Sequence, residues 1–559
     1  MLQYRYKLRK EKIMKFRKTI IPFILAIILS LSVVLSGCSL LADGRYPLFT
    51  PSFSARKYVE PDEDALYNKI AEIKTLSESE GNKNEILSKR SDILYALYTA
   101  NTSYVVAEIA ANKNIKDEEA RTRYAYISSF LNKFTNDVLE LEKTLFKSIY
   151  KADLIELTGE AYAERMLSSS TKTPQAIALE AKETEYLRQY SAACSLENGA
   201  EKTAKMAEIY KNLIITRNDI AALYTDEDGK PYRNYLDYSY DKNFGRDYTP
   251  EDVTETREAL REKFVSAYAS LTKQSQKFTS AYTVPLSEAQ IKKYMPYIIK
   301  NTNPTMSGSW QYLIRKGLYD FTISENKMNT SYVADFAAYG DGFMFINRYG
   351  SIGADLSTII HEFGHYNAIF NEDEEKAGES SANYDLLETH SQCFELITLP
   401  AVKQLFKQYG ITCYDSYAFL KIYDCLWALL SNCAFDEFEY TVYNAKESEL
   451  TAEFFQKTFS DVKSRYIADS AYNYYDITHV YQVPGYCISY VVSLLFSSEI
   501  WANENAAELY NEVVSYGASH YLSEVYQPLK LSNPLTAESV SLVYEKYRSF
   551  LKSAVNIDI

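Results

Sequence analysis

Between residues 58 and 223 apolar side chains recur at three- and four-residue intervals in long stretches nearly free of proline. That period puts them on one face of an α-helix. It predicts long antiparallel helices over residues 85–111, 120–150 and 202–223. Turn-forming residues crowd into Thr225-Asp226-Glu227-Asp228-Gly229-Lys230-Pro231, so a boundary is expected there or slightly later. Further on, Thr249, Pro250, Glu251 and Asp252 predict an N-cap at Thr249, a proline in the first turn and a helix running to Leu271. The pattern then changes. Gly340, Gly342 and Gly350 bracket the apolar run Phe343-Met344-Phe345-Ile346, which reads as a strand. After Ser351 the text is mostly helical again, apart from an acidic loop over residues 371–383. No solenoid period or low-complexity tract interrupts it.

The first 37 residues have a different character. Arg5, Lys7, Arg9, Lys10, Lys12, Lys15, Arg17 and Lys18 precede an apolar run over residues 20–35, which is short for a membrane span. Met14 offers a second possible start that keeps a normal basic region. The run ends in Leu35-Ser36-Gly37-Cys38, which resembles the lipobox of bacterial lipoproteins. That resemblance implies that residues 1–37 are removed as a signal peptide, that Cys38 is acylated, and that the body works outside the cytoplasm on a membrane anchor. Residues 38–56, with Gly44, Pro47, Pro51 and several serines, read as a tether.

Composition of the whole chain narrows the class further. Hydrophobic residues at 47% and charged residues at 24% fit a folded globular chain rather than a disordered one. A net charge of -14 provides no basic footprint, so nucleic acid is excluded as a partner. The 51 tyrosines are spread along the chain and read as compositional bias. Cys194, Cys393, Cys413, Cys425, Cys433 and Cys487 stand at irregular spacings without paired C-x-x-C units, so buried thiols are expected rather than a second metal site.

Chemistry enters at Ile359-Ile360-His361-Glu362-Phe363-Gly364-His365. Residues four apart on a helix share a face, so His361 and His365 can reach one cation. Glu362 is rotated about 100° from His361 and can act as a general base without taking a ligand position. Only five histidines occur in the chain, so an accidental H-E-x-x-H is a weak rival. Hydrolytic zinc sites usually have three protein ligands. A metzincin third histidine is ruled out, because Ala368 and Asn371 stand where a glycine and a histidine are required. Asp385, Glu388, His390 and Glu395 remain as candidates, with Glu388 and Glu395 seven apart on one face with Gln392. Spacing alone leaves all four open. Two histidines and a carboxylate with an open position favour zinc among divalent ions.

The stretch 355–366 together with Glu388-Thr389-His390-Ser391-Gln392 resembles the paired signature of the oligoendopeptidase F and thimet oligopeptidase family. Phe244-Gly245-Arg246-Asp247-Tyr248-Thr249-Pro250-Glu251-Asp252-Val253 is similar to that family's G-R-D-Y-x-P-E-D element, and residues 479–490 are similar to its late segment of one histidine and spaced tyrosines. The resemblance covers residues 234–501; the segment before it matches only in being helical. Departures are Tyr366-Asn367-Ala368-Ile369 after the second histidine and Gly485 where an aromatic is common.

What the resemblance implies is a mostly α, two-lobed helical zinc metallopeptidase with a deep substrate channel and a small β-sheet next to the active-site helix. It would comprise an N-terminal helical region over 57–233 and a catalytic region over 234–559. One zinc per chain would be held by His361, His365 and Glu388, with Glu395 and Asp355 supporting them. Glu362 would activate water, and His479, Tyr486 and Tyr490 would donate hydrogen bonds to substrate and oxyanion. Short peptides would be cleaved outside the cytoplasm. The alternative is a membrane-tethered peptide-binding lipoprotein that keeps the zinc fold without efficient turnover, and Glu362 speaks against it. The strand over 343–346 is expected either to pair with an extended peptide by strand addition or to be a buried structural strand.

Overall fold

The computed structural model describes residues 50–168, 172–226, 228–371 and 382–559. Cys38, residues 1–49 and most of the acidic loop therefore lie outside the described residues. The structure is about 70% helical with a three-stranded sheet, which matches the mostly α expectation. Two compact units form, and both are discontinuous in sequence. One lies within Met1–Lys172, Thr305–Tyr349 and His365–Glu375, the other within Thr173–Pro304, Gly350–Gly364 and Lys376–Ile559. The sequence boundary at 233/234 falls inside the second unit.

In the first unit, helices α1 (Lys83–Lys113) and α2 (Glu118–Lys147) form where two of the helical segments are expected, with ends shifted by two or three residues. Asp117 caps α2 by accepting from the Ala120 N–H at 3.0 Å. Ser148 ends it early, bonding back to the Leu145 carbonyl through both its N–H and its hydroxyl. Ile93, Leu97, Phe134, Val138 and Leu141 are fully buried between them, each stabilising by roughly 1.5–3 kcal/mol. Inside that apolar layer Arg90 meets Glu142 through two bonds of 2.7 and 2.6 Å, and the Tyr162 hydroxyl donates to the same carboxylate at 2.8 Å.

The sheet consists of β1 (Tyr319–Asp320), β2 (Tyr332–Phe336) and β3 (Asp341–Phe345) in the order β1-β3-β2. β3 runs parallel to β1 and antiparallel to β2. Strand addition to the run 343–346 is therefore corrected: both edges of β3 are already paired, and all five of its residues are buried. Gly342 has a packing reason, since a Cβ there would sit 2.7 Å from Ile369 Cδ1.

The second unit contains α3 (Ala200–Ala221), α4 (Thr254–Thr272), α5 (Ile352–Ala368), α6 (Tyr384–Ile397), α7 (Tyr414–Tyr443), α8 (Thr478–Gln482) and α9 (Cys487–Ala502), α5 up to Gly364. α3 lies two residues upstream of its expected bounds. The turn after it forms as expected, with Asp226 Oδ1 accepting from the N–H groups of Asp228 and Lys230. Thr249 is not the N-cap of α4. Asp252 takes its N–H and its hydroxyl at 2.8 Å each, so residues 249–253 wind as successive tight turns and the helix begins at Thr254. Of the six non-N-terminal cysteines, five are buried free thiols and Cys194 is exposed.

Candidate metal centre

Two helices carry the centre. A glycine turn leads into α5, and Asp355 in its first turn accepts from the Gly350 N–H at 2.9 Å. Asp355 thus ties the turn to the helix, six residues and roughly 9 Å of rise before His361. Asn383 caps α6 by accepting from the Leu386 N–H at 3.0 Å. The two helices approach closely at Gly364, where a Cβ would lie 2.7 Å from both the His390 carbonyl oxygen and Ser391 Cα. Only glycine permits that approach, and the approach carries the acidic face of α6 up to the imidazoles of α5.

Ligand atoms of His361, His365 and Glu388 all lie within 4.8 Å of one another. His361 Nε2 stands 3.7 Å from Glu388 Oε2. The unit division cuts α5 between Gly364 and His365, but the helix is uninterrupted, so the two histidines keep their one-turn spacing. Among the described residues, the cluster takes in none of the other third-ligand candidates. Asp385 is bonded to Tyr248, Ser489 and Arg246. Glu395 Oε1 meets His361 Nδ1 at 2.9 Å, which supports that ring rather than competing with it. His390 is buried, its ring nitrogens have no hydrogen-bond partner among the described residues, and burial lowers its pKa to about 4.

Around Glu388 stand the late aromatic residues. The Tyr486 hydroxyl donates to Glu388 Oε1 at 2.6 Å. The His479 ring stacks on Tyr486 with centroids 5.2 Å apart, and Tyr490 meets both rings edge-on at 5.9 and 5.2 Å.

The folded chain resembles solved peptidases over nearly its whole length. A candidate oligoendopeptidase F superimposes with a TM-score of 0.70 at 19% identity, covering 91% of this chain and all of that one. PZ peptidase A with an inhibitor gives 0.69 at 18%, covering 90% and 100%. A candidate oligoendopeptidase F from Bacillus anthracis gives 0.67 at 18%, covering 90% and 98%. The chain has the oligoendopeptidase F fold. No family model matches the sequence, and no curated protein matches it either.

Within this fold the donor set, two imidazoles and a carboxylate, suits a divalent cation such as zinc. The electrostatics favour one too. Burial raises the Glu362 carboxyl to about 7, with the negative charges of Glu388 and Glu395 adding to the rise and His361 opposing it. Glu388 is likewise raised by burial. Burial disfavours a charged His361, yet the hydrogen bond and charge of Glu395 outweigh it and lift the ring to about 9. A cation held there would favour the ionised forms of Glu362 and Glu388 and the neutral form of His361. His479 is lowered by burial.

Several residues around the centre were not singled out from sequence. Glu395 Oε2 accepts from Ser357 and from Lys421 Nζ on α7. Against the cost of burial, the charge of Lys421 and the bond from His361 hold Glu395 at about 2. The loop before Tyr486 is pinned by Arg246 to the Gly485 carbonyl at 2.8 Å, by Ser239 to Pro484 at 2.9 Å, and by the Gly485 N–H to Glu439 at 3.1 Å. Gly485, noted as a departure, adopts φ 85°, and a Cβ there would press on Leu236, Tyr240 and Phe244. The G-R-D-Y-like element is thus a brace: Arg246 and Tyr248 both reach Asp385 on α6, while Arg246 also holds Ser489 on α9. Ser357, Lys421, Ser239 and Glu439 stand at no characteristic spacing from the residues they hold, so the sequence carries no local trace of these contacts.

Proposed function

We propose that this chain is a zinc-dependent endopeptidase that hydrolyses short peptides outside the cytoplasm. The convergence of His361, His365 and Glu388, with Glu362 beside them, carries the reading. Zinc held by those three side chains supplies Lewis acidity that makes water acidic near neutral pH and polarises a carbonyl. Glu362 lies next to His361 but on a different azimuth of α5, so its carboxylate is free for proton transfer. Its ionised carboxylate takes a proton from water and returns it to the leaving amine. Neutral His479 and the hydroxyl of Tyr490 present donors beside Glu388, where negative charge develops on the substrate oxygen, and the Tyr486 hydroxyl, which bonds Glu388 here, would turn from it to serve the same oxygen. Relatives of the same fold solved as peptidases support peptide as the substrate class.

A catalytic role and a binding-only role separate on Glu362→Gln. For the enzyme, peptide cleavage collapses while zinc and peptide are still bound; a binder shows no change in either. We further propose anchoring through Cys38 as a lipoprotein. Cells expressing the full chain should move it from the membrane fraction to the soluble fraction on Cys38→Ala and lose incorporation of a labelled fatty acid. Unchanged fractionation and labelling would end the lipoprotein reading and leave the peptidase reading intact.

A further inference from the structure

Lys421 belongs to α7, a helix that contributes nothing to the His361, His365 and Glu388 cluster itself. Its ammonium nevertheless reaches the centre at one remove. Glu395 Oε2 receives Lys421 Nζ at 2.5 Å and the hydroxyl of Ser357, while Oε1 meets His361 Nδ1 at 2.9 Å. Lys421 and Glu395 side chains are only 12% and 8% exposed, so water does not substitute for either partner. Ser357 and His361 are successive turns of α5, Glu395 is on α6, and Lys421 is on α7. The carboxylate is therefore triangulated from three helices.

We infer that Lys421 is a positioning residue for the cation. It clamps the Glu395 carboxylate so that Oε1 accepts the Nδ1–H of His361, which leaves Nε2 as the lone-pair donor aimed toward Glu388 Oε2 at 3.7 Å. Ser357 and His361 both reach that carboxylate from α5 and fix it relative to one helix only. Without Lys421 the carboxylate plane can rotate, and the His361 ring loses its preset orientation and tautomer. This inference rests on the metallopeptidase reading above, because it assigns Lys421 a part in that same centre.

Zinc affinity of the purified full chain, measured by competition with a fluorescent chelator, tests it without reference to turnover. Lys421→Met should weaken zinc binding by about tenfold or more, the range for losing a supporting contact to a ligand. Glu395→Gln should weaken it similarly. The double variant should be no weaker than Glu395→Gln alone, since Lys421 acts only through Glu395; a purely structural lysine gives additive losses instead. Lys421→Arg, which keeps the charge, should restore most of the affinity and also covers the case that the methionine variant does not fold. Folded Lys421→Met or Lys421→Arg chains that respectively keep wild-type affinity or lose as much as the methionine variant would overturn the inference alone. A wild-type chain that binds no zinc overturns the metallopeptidase reading, and the inference with it.

Discussion

Glu362 is where the account is most exposed to a single substitution. Burial and two neighbouring carboxylates push its carboxyl up to about 7 in the metal-free chain. Only the ionised form accepts a proton, so kcat/KM should fall as pH drops through that value, and a divalent ion next to it moves this limb to lower pH. Glu362→Gln should lower kcat by about 10²–10⁴-fold and abolish the acid limb; a variant that keeps the limb would assign it to another group. His361, Glu362 and His365 were legible in sequence because one helix turn sets their relation. Glu388 and Glu395 were legible as a shared face, but choosing between Asp385, Glu388, His390 and Glu395 needed the tertiary partners of each. Lys421 was not legible at all. A lysine 26 residues from its carboxylate partner carries no local signal, and its meaning comes from where α7 packs.

Among elements, the crossing of α5 and α6 decides whether a ligand set exists. Gly364→Ala puts a methyl group 2.7 Å from backbone atoms of His390 and Ser391, which cannot yield as a side chain would. Urea unfolding should show a loss of about 1–3 kcal/mol, accompanied by weaker zinc binding as Glu388 is pushed back. In the first unit, Arg90→Met leaves the buried Glu142 carboxylate without its cation and should cost about 3–5 kcal/mol by the same assay. Helices α1, α2 and α3 were readable to within three residues, since their apolar period is local. The start of α4 was misplaced because the Asp252 side chain competes for the Thr249 donors. The place of β3 in the sheet was unreadable because its partner β1 is two residues long and arrives from an earlier segment.

At the scale of the whole molecule, the chain crosses repeatedly between its two compact units, so linear boundaries say little about which residues are packed together. The three candidate ligands come from two helices joined by a segment over residues 369–383. A cation bound by the folded chain and not by the unfolded one stabilises it by mass action, about 4 kcal/mol at roughly 1,000 times Kd of free ion. Chelation should therefore lower Tm, and added zinc should restore it. The most direct measurement is elemental analysis of the purified body beside its Glu388→Ala, His361→Ala and His365→Ala variants. One zinc per wild-type chain, largely lost from every variant, is the expected result. A wild-type chain without zinc, or variants that retain a full equivalent, would contradict the assignment of this centre.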